Sequence, residues 1–296
     1  WASVHGNDAG EPLPSSETTV TANRRLHRVA LGAWLVMALS GAGWLALESA
    51  RMSGPPLGDS LNTSTVFTVL AATVFGQAWS VRAWLALGLA AIWPVLRASS
   101  LPLRRWASAI AVVISGGLLA GLAWGGHANA EVGLAGWVHH ASDVAHLLAA
   151  GAWLGGLAPL AALLGRLRRS PTTRALNGCA DIAARFGNRA ALSVGVLLMT
   201  GTVNAYFLVQ APPALLATTY GNLLLAKLLL FALMLAIATA NRTRLTAALR
   251  AREGDGAARV DAARRLRRNV WVEQALGAGV IALVGILGVT PPPMRM

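Results

Sequence analysis

The stretch "YGNLLLAKLLLFALMLAIATANRTRL" (220–245) runs from Leu223 to Ala240 with a single charge, Lys227, and then closes on Asn241, Arg242 and Arg244. An uninterrupted apolar run of about 18 residues is the length needed to cross hydrocarbon as a helix. Similar blocks recur along the chain, separated by short basic or Pro/Gly-rich segments. The 296 residues are 55% apolar and only 12% charged, about half the charged fraction of a soluble domain. A membrane β-barrel would show alternating segments of about 10 residues, and none are visible. The expected fold is all-α, a polytopic transmembrane helical bundle. Its spans fall near 28–48, 78–97, 105–124, 139–164, 188–209, 221–241 and 270–289.

The net charge of +13 is placed as a topology signal and not as a nucleic-acid surface. Arg24, Arg25 and Arg28 precede the first span. Arg97, Arg104 and Arg105 follow the second, Arg166, Arg168, Arg169, Arg174 and Arg185 the fourth, and Arg264, Arg265, Arg267 and Arg268 the sixth. The intervening loops hold only Arg51 in 49–77 and no Arg or Lys in 125–138 or 210–220. Basic loops stay cytoplasmic, so the N-terminus is expected inside and the C-terminus outside. The implied partner is the lipid bilayer, with no nucleic acid. Cys179 is the only cysteine, which excludes a disulfide framework and a CxxC site; it reads as a structural or incidental loop residue. Trp79, Trp106, Trp124, Trp137 and Trp271 fall near expected interfaces, whereas Trp34 and Trp84 fit buried packing.

The order of elements repeats. Setting Phe75-Gly76 of "LAATVFGQAWSVRAWL" (70–85) on Tyr220-Gly221 of "LATTYGNLLLAKLLL" (216–230) also aligns Thr73 with Thr218 and Arg82 with Lys227. Upstream, "ALSGAGW" (38–44) answers "LMTGTVN" (198–204). The expected organisation is a parallel internal repeat of four spans, with seven seen of eight and the first helix missing upstream. The segments are then a cytoplasmic polar segment 1–27, first-repeat helices 28–124, a periplasmic loop 125–138, second-repeat helices 139–290 and a periplasmic tail 291–296. Arg82 and Lys227 either snorkel to the outer interface or face the bundle interior.

The chemistry concentrates in "WVHHASDVAHLLAAGAWLGG" (137–156). His139, Asp143 and His146 are spaced i, i+4 and i+7, which places them within an arc of about 60° on one helix face. His140 points about 100° away, and His127 in "GGHANA" adds an imidazole in the preceding loop. Three readings are open. The residues are a wet helix end with one satisfied core histidine, a proton relay, or an entry path for a transition metal. Thioethers select copper, and Met52 and Met199 are placed outside or within the membrane. A haem would need a second histidine on a facing helix, which the missing helix could supply. Ser-His-Asp, phosphate-loop and paired-carboxylate patterns are absent from the sequence, so no enzyme is expected.

These residues carry a resemblance. The segments "GHA" (126–128), "DVAHLLAAGAWLGGL" (143–157), "LMTGTVNAYFLV" (198–209) and "TTYGNLLLAKLLLFALMLAIATANRTRL" (218–245) are similar to the CopD/PcoD family of bacterial inner-membrane copper-resistance proteins. "MSGPPL" (52–57), "TVFGQAWSVR" (73–82) and "GVTPPP" (288–293) look like it too. The resemblance implies eight spans, copper ion (Cu+ or Cu2+) handling across the cytoplasmic membrane, import toward the cytoplasm and a periplasmic CopC-like partner. His127, Asp143 and His146 fall on the family's motif positions, whereas His139 rests on spacing alone. The expected route runs from His127 and His139 past Asp143 and His146 toward Met199. Trp153 gates it or simply packs, Gly155 and Gly156 allow close helix contact, and Tyr220 with Lys227 and Arg82 marks the repeated helix heads. The alternatives are a b-type haem electron carrier and an assembly factor for a copper enzyme.

Overall fold

The computed structural model describes residues 16–53, 62–98, 101–125, 133–167, 172–208, 214–251 and 256–290. Among them the chain is helical throughout: α1 Ser16–Ser53, α2 Thr63–Ala72, α3 Val74–Ala98, α4 Leu101–Ala120, α5 Gly133–Arg166, α6 Thr173–Leu208, α7 Ala214–Ala217, α8 Thr219–Ala240, α9 Thr246–Arg250 and α10 Gly256–Val289. A π-helical turn at Asn241–Leu245 joins α8 to α9 without a break. Seven of these helical stretches are long and apolar enough to cross a membrane, as the sequence led us to expect. The helices outrun the expected spans. Helix α6 starts at Thr173 and α10 at Gly256, well before the apolar runs near 188 and 270. Hydropathy marks only the part of a helix that hydrocarbon must cover. The Arg-rich turns beyond it keep the same backbone because helix propensity is high in Ala/Arg-rich sequence.

The described residues form two compact units whose boundary lies inside α1, at Ser40/Gly41. In the first, the α1 segment presents Val29, Leu31, Leu35, Val36 and Leu39 as exposed apolar side chains. In the second, α5 packs on α6 and α10, α10 packs on α8, α3 on α4 and α4 on α5. One core cluster joins Leu157, Leu160, Leu164, Leu176, Cys179, Ala183, Leu249, Leu266 and Val270. Cys179 is thus a buried helix residue in this core, not a loop residue. Arg259 locks the same end. It is 5% exposed, and its guanidinium donates to the Leu249 carbonyl at 3.0 Å and to Asn177 Oδ1 at 2.7 Å. A second cluster gathers Ala149, Trp153, Ala190, Leu197 and Met234. Trp84 is 73% exposed, so it is no packing residue within the chain. Of the paired glycines, Gly156 lies so close to Phe186 that a Cβ would collide with the ring, whereas Gly155 faces open space.

The two helix heads that align in sequence are built alike. Thr73 breaks the chain between α2 and α3, and its hydroxyl accepts from Gly76 N–H at 2.9 Å. Thr218 breaks it between α7 and α8, and its hydroxyl accepts from Gly221 N–H at 3.0 Å. Each satisfies an amide that a helix start leaves unpaired. Gly76 is required by close approach, since a Cβ there would run into the Val69 carbonyl. Thr73→Val and Thr218→Val are each expected to cost about 1 kcal/mol of stability, and Gly76→Ala more than either. Thermal unfolding in detergent measures this; a Gly76→Ala protein that melts like wild type contradicts the packing described.

Candidate metal path on the histidine-bearing helix

The row on α5 meets a matching row on α6. His139 stacks on Phe207 with ring centroids 4.7 Å apart and planes 8° from parallel. Asn204 Nδ2 donates to Asp143 Oδ1 at 3.4 Å. His146 Nδ1 lies 2.9 Å from Thr200 Oγ1, and Ser142 Oγ donates to the Thr200 carbonyl at 3.2 Å. Thr200, Asn204 and Phe207 are themselves spaced i, i+4 and i+7. The two helices run antiparallel, so each member of one row finds its counterpart on the other.

The Thr200 hydroxyl fixes the state of His146. It has one proton, and it donates that proton to the Val196 carbonyl at 2.7 Å. Toward His146 it therefore accepts, and Nδ1 carries the hydrogen. The imidazole then has its lone pair on Nε2, the atom that takes a proton or a metal. A third helix adds charge: the half-buried Lys227 of α8 lies within electrostatic reach of both Asp143 and His146. Lys227 thus engages the bundle interior. The buried Oδ1 of Asn204 has no hydrogen-bond partner among the described residues.

The remaining expected residues are placed as follows. His139 is 3% exposed, and His140 leaves the row to meet Trp124 edge-on at 4.2 Å. Trp153, on the same face of α5 as His146, is 1% exposed and meets Phe231 edge-on at 6.0 Å. Tyr220 is buried in the first turn of α8. Arg82 lies over the Trp44 ring, 5.7 Å from its centroid, and Trp44 meets Phe75 edge-on at 5.1 Å. Met199 is 66% and Met52 47% exposed, and the structure brings neither to the row. His127 lies outside the described residues. Among the described residues no three His, Cys, Asp or Glu side chains converge as a metal cluster. The row is a succession of donors, not a closed cage. Thr200, Asn204 and Phe207 were not singled out in the sequence, although their spacing in an apolar helix is the signal that betrays them.

The N-terminal domain model of copper resistance protein D-like proteins matches residues 11–137, and the copper resistance protein D model matches residues 180–287. Copper resistance protein D of Pseudomonas syringae pv. tomato is 34% identical over 226 residues, 75% of this chain and 70% of that protein. The chain belongs to the copper resistance protein D family. Copper transport protein CutJ of Bacillus subtilis (strain 168) is 28% identical over 72% of this chain and 39% of its own length. Inner membrane protein YebZ of Escherichia coli (strain K12) is 31% identical over 59% of this chain and 56% of its own length. The chain therefore spans well under two thirds of these last two relatives. No solved structure matches. Family membership and the seven apolar helices make this a multi-pass inner-membrane protein with a copper-related function.

Replacing Thr200 by Val keeps the shape but removes the acceptor that holds His146. Loss of a partner of this kind typically costs 10–100-fold in metal affinity or activity. Thr200→Val is expected to lower copper-dependent activity about tenfold at unchanged expression, and Thr200→Ser to restore most of it. Equal activity in all three proteins contradicts the role given to the hydroxyl.

Proposed function

We propose that the protein moves copper across the cytoplasmic membrane along the α5–α6 seam, inward from the periplasm, with copper as its cargo. One observation carries the reading: His146 Nδ1 lies 2.9 Å from the Thr200 hydroxyl, which leaves Nε2 as the nitrogen for a ligand, on the face that also bears Asp143 and His139. Imidazole donors suit copper, and steps between separate donors suit a cargo that must leave as readily as it arrives. The name of CutJ, a copper transport protein, supports transport over storage. Entry is assigned to the Arg-poor end, at His139 and His127, because basic loops mark the opposite end as cytoplasmic. A CopC-like periplasmic protein would deliver the ion there. The two like-built helix heads at Thr73 and Thr218 support a parallel repeat of four spans.

The haem reading has less support, since α6 presents Phe207, Asn204 and Thr200 to the row and no histidine. His146→Ala in the full-length protein is expected to abolish copper accumulation by cells with expression unchanged. Asn204→Ala is expected to reduce it severalfold. Normal accumulation in the His146 variant sinks the assigned path, a Soret band in the purified protein would favour haem, and a lost copper-enzyme activity with intact accumulation would favour an assembly factor.

A further inference from the structure

Beyond Trp153, toward the basic end, a groove of about 190 Å³ runs between α6 and α8. Its floor is buried and belongs to α5 and α10, where Trp153 is 1% and Val270 2% exposed. Its walls are α6, with Phe186, Ala190 and Val194, and α8, with Leu235 and Ala238. Its rim is exposed, at Ala191 on one wall and at Thr239 and Arg242 on the other. With a buried floor and an exposed rim, the groove opens sideways, away from α5 and α10. The α6 wall runs from Ala183 to Val194, about 16 Å by helical rise.

The apolar runs set the depth of this opening. They begin near 188 in α6 and end near 241 in α8. Ala190, Val194, Leu235 and Ala238 therefore lie at hydrocarbon depth, and Arg242 lies at the level of the cytoplasmic head groups. Two charged residues line the groove, one deep and one at the rim. Glu273 is 2% exposed on the floor, and its Oε1 accepts from Asn241 Nδ2 at 2.5 Å. Asn241 Oδ1 in turn accepts from Asn269 Nδ2 at 2.9 Å. That network stays within α8 and α10 and the turn that Asn241 opens. Arg242 is exposed. It donates to the Gly187 carbonyl at 3.4 Å and forms no ion pair among the described residues. A guanidinium carries five N–H donors in a planar fork that matches a phosphate. The rim has no carboxylate, so a cationic head group would find no partner there.

We propose that this groove binds an anionic phospholipid of the cytoplasmic leaflet, with one acyl chain between α6 and α8 and the phosphate on Arg242. The small side chains of the α6 wall leave the depth that a chain fills. An acyl chain covers apolar walls without asking for a hydrogen bond, which hydrocarbon cannot supply. Basic pockets between membrane helices at the cytoplasmic face bind anionic head groups. The site is separate from the α5–α6 row, and it stands whether or not copper moves along that row.

Full-length protein in detergent micelles, exposed to phosphatidylglycerol with a photoreactive group in its acyl chain, tests this. Wild type is expected to carry the label within 183–194 and 235–246 by peptide mass spectrometry. Unlabelled phosphatidylglycerol is expected to displace it about fivefold more effectively than phosphatidylcholine, the effect of one basic side chain at a membrane surface. Arg242→Gln is expected to erase that difference, whereas Arg244→Gln, outside the lining, is expected to keep it. Ala191→Trp fills the mouth and is expected to lose the label. Wild type labelled only on other helices overturns the site, and equal displacement by the two lipids overturns its head-group preference, neither needing a variant to fold. An Arg242→Gln protein that keeps the difference overturns the role given to the guanidinium. Label that disappears as the protein dimerises gives the groove to a second copy of the chain and overturns the lipid as its occupant.

Discussion

Hydrocarbon offers no hydrogen bonds, so a polar side chain on a membrane helix must find its partners on another helix or face water. The contact between α5 and α6 is organised by that constraint. His146, Asp143 and Ser142 on one helix are answered by Thr200 and Asn204 on the other. Thr200 does most of this. It accepts from His146, donates to Val196, and its carbonyl receives Ser142. Fixing one hydroxyl proton on the backbone of its own helix decides which imidazole nitrogen stays available. The chemistry of the seam thus follows from a local α-helical hydrogen bond one turn long.

The rest of the second unit holds that seam in register. Gly156 admits Phe186 and Gly277 admits Leu154 with no room for a Cβ, so α5 sits tightly against both α6 and α10. Small residues at helix contacts are the usual means of close packing in bilayers. Trp153 divides the interior. On one side lie the imidazoles and Asp143, with Lys227 within electrostatic reach of Asp143 and His146. On the other lies a pocket lined in part by Glu273 and Asn241. The Arg259 clamp and the leucine-rich cluster fasten the basic end. A fastened end leaves the polar steps as the places where small shifts could matter.

Much of this is readable in the sequence because hydrocarbon enforces simple patterns. Seven spans follow from run length, and the row of His139, Asp143 and His146 from helical spacing. What was missed concerns pairing between helices, which one helix cannot report. Thr200, Asn204 and Phe207 look unremarkable until α6 is laid antiparallel to α5. Met199, one residue from Thr200, turns outward to 66% exposure, because a step of about 100° separates neighbours on a helix. The helix ends were missed for another reason: Arg-rich turns continue a helix after its apolar run has ended. The likeness of the Thr73 and Thr218 caps, by contrast, was foreshadowed by their alignment across Phe75-Gly76 and Tyr220-Gly221.

The central claim is that His146 holds its hydrogen on Nδ1 and offers Nε2 to copper. Nitrogen-15 NMR of histidine-labelled full-length protein, with His146 assigned by comparison with His146→Ala, reads both nitrogens directly. The expected spectrum shows a protonated Nδ1 and a bare Nε2, and added Cu(I), which is diamagnetic, shifts Nε2 while Nδ1 keeps its proton. A hydrogen found on Nε2 instead, or an Nε2 resonance that copper leaves unmoved, contradicts the account.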